Sequence, residues 1–174
     1  QKRAEYNAQM LSGGGSDEEQ RKVAAVIDAA LEFQKAEVVL RKGDLAAAEA
    51  YASRALAADP EQIDYVATVA WIKALRRGDP PPVKESTTIS FYDDIITTLD
   101  GVLKLEPEHE KALYFRAVLQ KRSGRDAKAL RDFRIVAELN PRNIDAVREL
   151  RLFQMRKDAK KKEESSLLGK FFKK

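Results

Sequence analysis

The 174-residue sequence contains no cysteine. That excludes disulfides, thiolate metal sites and cysteine nucleophiles together. A single histidine, His109, leaves no second imidazole to complete a metal site or a proton relay. No apolar run approaches the roughly 20 residues that span a bilayer, and no signal peptide is visible. The first residue is Gln1 rather than Met, which fits a segment of a longer protein. These absences give the expectation of a cytoplasmic, non-secreted chain without a cofactor. What remains is 44% hydrophobic and 34% charged, enough for both a core and a soluble surface. Alanine, leucine, glutamate, lysine and arginine dominate, a composition that favours helix.

The formal net charge of +4 hides a split. Residues 115–174 hold 18 Lys+Arg against 8 Asp+Glu, a balance of +10, whereas residues 1–114 hold 14 against 20, a balance of −6. The basic end suits an acidic protein, an anionic membrane surface or nucleic acid, or it is simply a solubilising tail.

Glycine and proline punctuate the chain into helices. Gly13-Gly14-Gly15 reads as a linker after a short N-terminal piece. Ser16 with Glu19 three residues on then forms a capping box. Apolar residues at Val23, Ile27, Ala30, Leu31 and Val38 have helical spacing, so one helix is expected from Asp17 to Arg41, stopped by Gly43-Asp44. Further helices are expected over 45–58 and 63–77, from somewhere in 86–90 to about 105, and over 110–122, 127–139 and 144 to about 160. Gly78-Asp79-Pro80-Pro81-Pro82 is an extended connector. No segment alternates strictly enough for a strand.

Three helix ends look alike: Ala55-Leu56-Ala57-Ala58-Asp59-Pro60, Val102-Leu103-Lys104-Leu105-Glu106-Pro107 and Val136-Ala137-Glu138-Leu139-Asn140-Pro141. The last two prolines are 34 residues apart; the first two are 47 apart, which is 34 plus an insertion of 13 at the proline connector. A step of 34 residues with two helices per step resembles the tetratricopeptide repeat. Small residues stand where that family needs them: Ala36, Ala70 and Ala117 midway along first helices, Ala48 and Ala129 early in second helices, with Ile95 departing. Gly43 and Gly124 fit the turn within a pair, and Phe133 and Leu99 fit the large position where Ala52 is small. The resemblance implies an all-α, right-handed superhelical array of three pairs, with an insertion near 79–90 and a capping helix carrying Val147, Leu150 and Phe153. The division is then 1–12 as tail, 13–15 as linker, 16–160 as repeat domain and 161–174 as a basic amphipathic tail.

Lys2-Arg3-Ala4-Glu5-Tyr6-Asn7 is similar to the closing segment of a J domain. That resemblance implies a co-chaperone of which this chain is the C-terminal part; the alternative is a plain helix-forming tail. The His-Pro-Asp triplet on which J-domain activity depends is absent, since Glu110 follows His109.

The repeat resemblance implies binding of a peptide or protein surface in a concave groove. Its lining positions here are Phe33, Glu37 and Arg41 in the first pair, Asp64, Thr68 and Trp71 in the second, and Lys111, Tyr114, Val118, Lys121 and Arg122 in the third. Trp71, the only tryptophan, is either a partner anchor or an internal packing residue, and Tyr114 carries the same alternative. Family members that grip a C-terminal carboxylate use lysine, asparagine and arginine at positions held here by Phe33, Glu37, Thr68, Lys111 and Phe115. Only Lys111 matches, and Glu37 repels an anion, which argues against clamp binding of chaperone tails. Nucleic acid is disfavoured too, because no basic–aromatic interleaving is present. The tail offers Leu167, Leu168, Lys170, Phe171 and Phe172 to a partner groove or an anionic membrane; alternatively it packs on its own repeats or in a neighbouring copy. Catalysis has no candidate. Asp93-Asp94 and Glu163-Glu164 diverge by about 100° on a helix, and no phosphate-loop glycine pattern occurs.

Overall fold

The computed structural model describes residues 17–80 and 90–171, with side chains as far as 163 except at 160. The N-terminal piece, the glycine linker, Ser16, most of the insertion, and the side chains of Leu167, Leu168, Lys170, Phe171 and Phe172 lie outside the described residues.

Among the described residues there are helices and turns and no strand. The helices are α1 (Asp17–Arg41), α2 (Leu45–Ala58), α3 (Ile63–Arg77), α4 (Asp93–Leu105), α5 (Glu110–Arg122), α6 (Asp126–Leu139) and α7 (Ile144–Phe171). The chain divides into two compact units, Gln1–Tyr65 and Val66–Lys174.

Local chemistry explains the boundaries. At the turns after α1 and α5 the chain closes with the same pair of hydrogen bonds. Gly43 and Asp44 donate to Leu40 and Val39, and Gly124 and Arg125 donate to Lys121 and Gln120, at 2.8–3.1 Å. This is a Schellman closure, whose glycine must sit at positive φ; Gly43 is at 83° and Gly124 at 71°. An added Cβ at Gly124 meets nothing within 4 Å, so Gly124→Ala should lose only the backbone preference, about 1–2 kcal/mol. Thermal unfolding should show that loss, with Gly124→Asn losing less. The three proline-marked ends also share one geometry. The φ and ψ angles are −138° and 84° at Asp59, −133° and 93° at Glu106, and −137° and 88° at Asn140. At each, the cap N–H donates to the carbonyl four residues back. The residue before proline is driven from the helical region, which ends the helix there.

Two boundaries differ from the sequence expectation. α4 starts at Asp93, behind Tyr92 at the cap, with a break at 91–92 separating it from helical Ser90, while 86–89 of the expected start lie outside the described residues. Tyr92 is fully buried and its hydroxyl donates to the Gly78 carbonyl, so a tertiary contact fixes the start. α7 runs to Phe171 instead of stopping near 160. The run Lys160-Lys161-Lys162-Glu163-Glu164 consists of good helix formers, and a cluster of charge does not itself break a helix.

In unit 1, α1 packs on α2 through Ala29, Phe33, Ala36, Ala48, Ala52 and Ala55, all buried. The seam is nearly all methyl groups, and Phe33 meets Tyr65 with ring centroids 4.4 Å apart. The stripe Val23, Ile27, Leu31, Val38 faces outward, 41–59% exposed. The spacing that marks α1 as a helix therefore belongs to its uncovered side.

In unit 2 the core carries larger groups: Ile72, Leu99, Leu113, Leu119, Phe133 and Val136 are each at most 2% exposed. Ala117 and Ala129 are fully buried where helices cross closely. Arg77 ties α3 to α4 by a bidentate pair with Asp94, both contacts 2.6 Å. Arg116 of α5 ties its neighbours, reaching Asp132 at 2.7 and 2.9 Å and Asp100 at 2.6 Å. α7 packs on α6 through buried Ala146 and half-buried Leu150 and Phe153, whereas Val147 stays exposed.

Candidate functional site

The groove positions separate by unit. In unit 1, Phe33 is 9% exposed and belongs to the core; its ring supports α2 and Tyr65 rather than facing a ligand. Glu37 and Asp64 are half-buried and Arg41 is exposed at the end of α1.

In unit 2, Thr68 is 3% exposed and also packs inside. One turn on, Trp71 is half-buried, and its indole stacks on Phe115 of α5 with centroids 4.7 Å apart and planes 1° from parallel. Helical spacing explains the pair: Lys111, Phe115, Val118 and Arg122 fall on one face of α5, and Trp71 lies on the turn of α3 that meets it. Lys111, Phe115 and Val118 are half-buried. The result is a stacked aromatic floor whose two residues are both half-buried. Phe115 enters the sequence reading only as a departure from the carboxylate-gripping pattern. Its position four residues after Lys111 is the signal that assigns it to the same face.

Three more groove residues make contacts within the chain that the geometry resolves. Lys121 pairs with Glu149 of α7 at 2.6 Å, and Arg122 pairs with Asp79 at the start of the insertion at 3.2 Å. Tyr114 is half-buried with its ring edge toward Phe133, centroids 6.0 Å apart. Burial raises its phenol pKa above the ordinary value, and Asp145 and Glu149 push it the same way. The face around the Trp71–Phe115 floor is thus less cationic than a count of lysine and arginine implies.

His109 caps α5: its Nδ1 accepts from the Ala112 N–H at 3.1 Å, and the residue is 7% exposed. That geometry gives it a structural task. A polar cleft of about 610 Å³ lies among α4, α5 and α6. Its floor is the Arg116 cluster, whose charges satisfy one another. Among the described residues no three His, Asp or Glu side chains gather as metal ligands. No described helix is long and apolar enough to cross a membrane.

Paired helices with Schellman turns, alanine crossings and proline-stopped ends define the tetratricopeptide-repeat type of fold. Comparison with solved structures bears this out. The chain is similar to the first repeat domain of Spaghetti (RPAP3) bound to the HSP90 peptide SRMEEVD, with a TM-score of 0.57 at 18% identity, covering 75% of this chain and 96% of that one. It is also similar to the Arabidopsis OM64 repeat domain (TM-score 0.58, 13% identity, 76% and 98% covered) and to the first repeat domain of human RPAP3 (0.56, 18%, 78% and 96%). No family model and no curated protein matches the sequence.

Proposed function

We propose that the chain is a protein-interaction module whose Trp71–Phe115 floor seats an apolar or aromatic side chain of a partner peptide. The observation that carries this reading is the stack itself. Two large rings stand half-buried at groove positions, and such rigid aromatic surface is what binding hot spots use. A free C-terminal carboxylate held by a cationic clamp is disfavoured. Phe33 is committed to the core, Phe115 to the stack, and Glu37 carries the wrong sign. The RPAP3 domain's HSP90 peptide is therefore not the ligand proposed for this chain.

Because Trp71 is the only tryptophan, its emission reports on the floor directly. Titration with a panel of peptides bearing a Phe or Leu anchor and no tryptophan should shift that emission. Trp71→Ala and Phe115→Ala should each weaken binding of the best peptide, read by calorimetry, by roughly 30-fold, about 2 kcal/mol. Binding that leaves both the emission and the variants unchanged would refute the floor as the site. A finer reading makes the chain the partner-binding part of a J-domain co-chaperone. It is supported by Lys2–Asn7 alone and is tested by whether a His-Pro-Asp triplet precedes Gln1 in the encoded protein.

A further inference from the structure

Among the described residues two apolar surfaces stay uncovered, one in each unit, and their charges are opposite. The first is the outer face of α1, where Val23, Val26, Ile27 and Leu31 are 49–59% exposed. Beside them the first turn of α1 carries Asp17, Glu18 and Glu19. The second is a depression of about 450 Å³ between α6 and α7. Half-buried Leu130, Leu150 and Phe153 form its floor, and exposed Arg134 and Lys157 flank it. Neither of those cations makes an ion pair among the described residues.

In a stacked-helix fold each pair covers the apolar face of the next. Among the described residues no helix covers either surface. The α6–α7 depression has the form of a seat for one further helix. α1 has the matching form: a ridge of Val23 and Ile27 with acid at its start.

From this complementarity we propose that α1 of one copy docks in the α6–α7 depression of a second copy. Val23 and Ile27 enter between Leu150 and Phe153, and the acidic first turn meets Arg134 and Lys157. The wider charge pattern supports the encounter. Residues 1–65 hold 8 Lys+Arg against 12 Asp+Glu, and residues 66–174 hold 24 against 16. Such a contact joins two different surfaces, so it repeats from copy to copy and builds an open chain or a ring rather than a symmetric pair. The contact uses neither Trp71 nor Phe115 and is independent of the peptide-binding reading.

Sedimentation velocity over a concentration series tests the proposal. The wild-type chain should gain mass with concentration past that of two copies, and added salt should reverse the gain by screening the exposed charges. Val23→Asp/Ile27→Asp removes the ridge, and Arg134→Glu/Lys157→Glu inverts the flank; all four positions are exposed, so circular dichroism should remain native. Each variant alone should associate at least about tenfold more weakly. Mixed in equal amounts, the intact α1 of the flank variant meets the intact depression of the ridge variant, so the mixture should gain mass up to two copies and no further. Glu18→Lys/Glu19→Lys combined with Arg134→Glu/Lys157→Glu in one chain should regain association. A wild-type chain that stays single throughout the series would overturn the proposal. So would a ceiling at two copies that Arg134→Glu/Lys157→Glu leaves unchanged, since that result marks symmetric α1–α1 pairing.

Discussion

Phe133→Ala is expected to destabilise the chain by about 3–5 kcal/mol in urea unfolding, the range for removing a buried aromatic ring and leaving a cavity. Phe133 is fully buried on α6. It faces the Tyr114 ring, so the loss has two parts: transfer of the ring to water, and an edge contact with Tyr114. A double-mutant cycle with Tyr114→Leu should isolate the second part at about 0.5–1.5 kcal/mol. Phe133→Leu keeps most of the volume and should cost well under half as much. A loss for Phe133→Ala below about 1.5 kcal/mol would mean that α6 does not rest on this residue. Peptide binding at Trp71 should weaken only to the extent that folding does.

Arg116→Ala should cost about 3 kcal/mol, for an electrostatic reason. The guanidinium side chain is 20% exposed, and it holds the side chain of Asp132, 7% exposed, and of Asp100, 46% exposed. Burial works against its charge, yet the hydrogen bonds to Asp132 and Asp100 outweigh burial, and its pKa lies above the ordinary value. Without Arg116, Asp132 keeps a charge in a poorly solvated place, and that uncompensated charge is the main loss. The value falls at the low end for buried pairs because a fifth of Arg116 still meets water. Asp100→Asn should cost less than about 1 kcal/mol, since Asp100 is largely solvated. Replacing both members, as Arg116→Met/Asp132→Leu, should restore much of the stability, because neither charge is then stranded. Urea titration of the four forms checks the ordering, and a double variant as unstable as the sum of the two singles would contradict it.

The helices were legible wherever glycine or proline forces the backbone. Gly43, Gly124 and the residues before Pro60, Pro107 and Pro141 act through φ and ψ alone, and backbone restrictions do not depend on distant partners. The C-terminus of α7 and the start of α4 have no such forcing residue. The first depends on the propensity of a lysine–glutamate run, the second on Tyr92 reaching Gly78. Periodicity also identified α1 as a helix without revealing which stripe it buries. Two stripes are apolar, and the smaller one, with Ala29 and Ala36, is the one α2 covers. At the groove, position along the repeat identified the face that holds Trp71 and Lys111. It could not show that Phe33 and Thr68 turn inward, or that Lys121 and Arg122 are taken by Glu149 and Asp79. Those pairings link residues 28 and 43 positions apart, and no local pattern encodes such a distance.

The alanine seam between α1 and α2 has a dynamic consequence. Its methyl groups let the two backbones approach closely but remove little area from water, and among the described residues Phe33 and Tyr65, with partly buried Leu56 against them, add the larger side chains there. Unit 2 is held by several larger aliphatic and aromatic groups. Local opening has the lowest free energy where the least apolar area is lost, so amide protons of α1 and α2 should exchange with solvent through excursions that leave α5 and α6 intact.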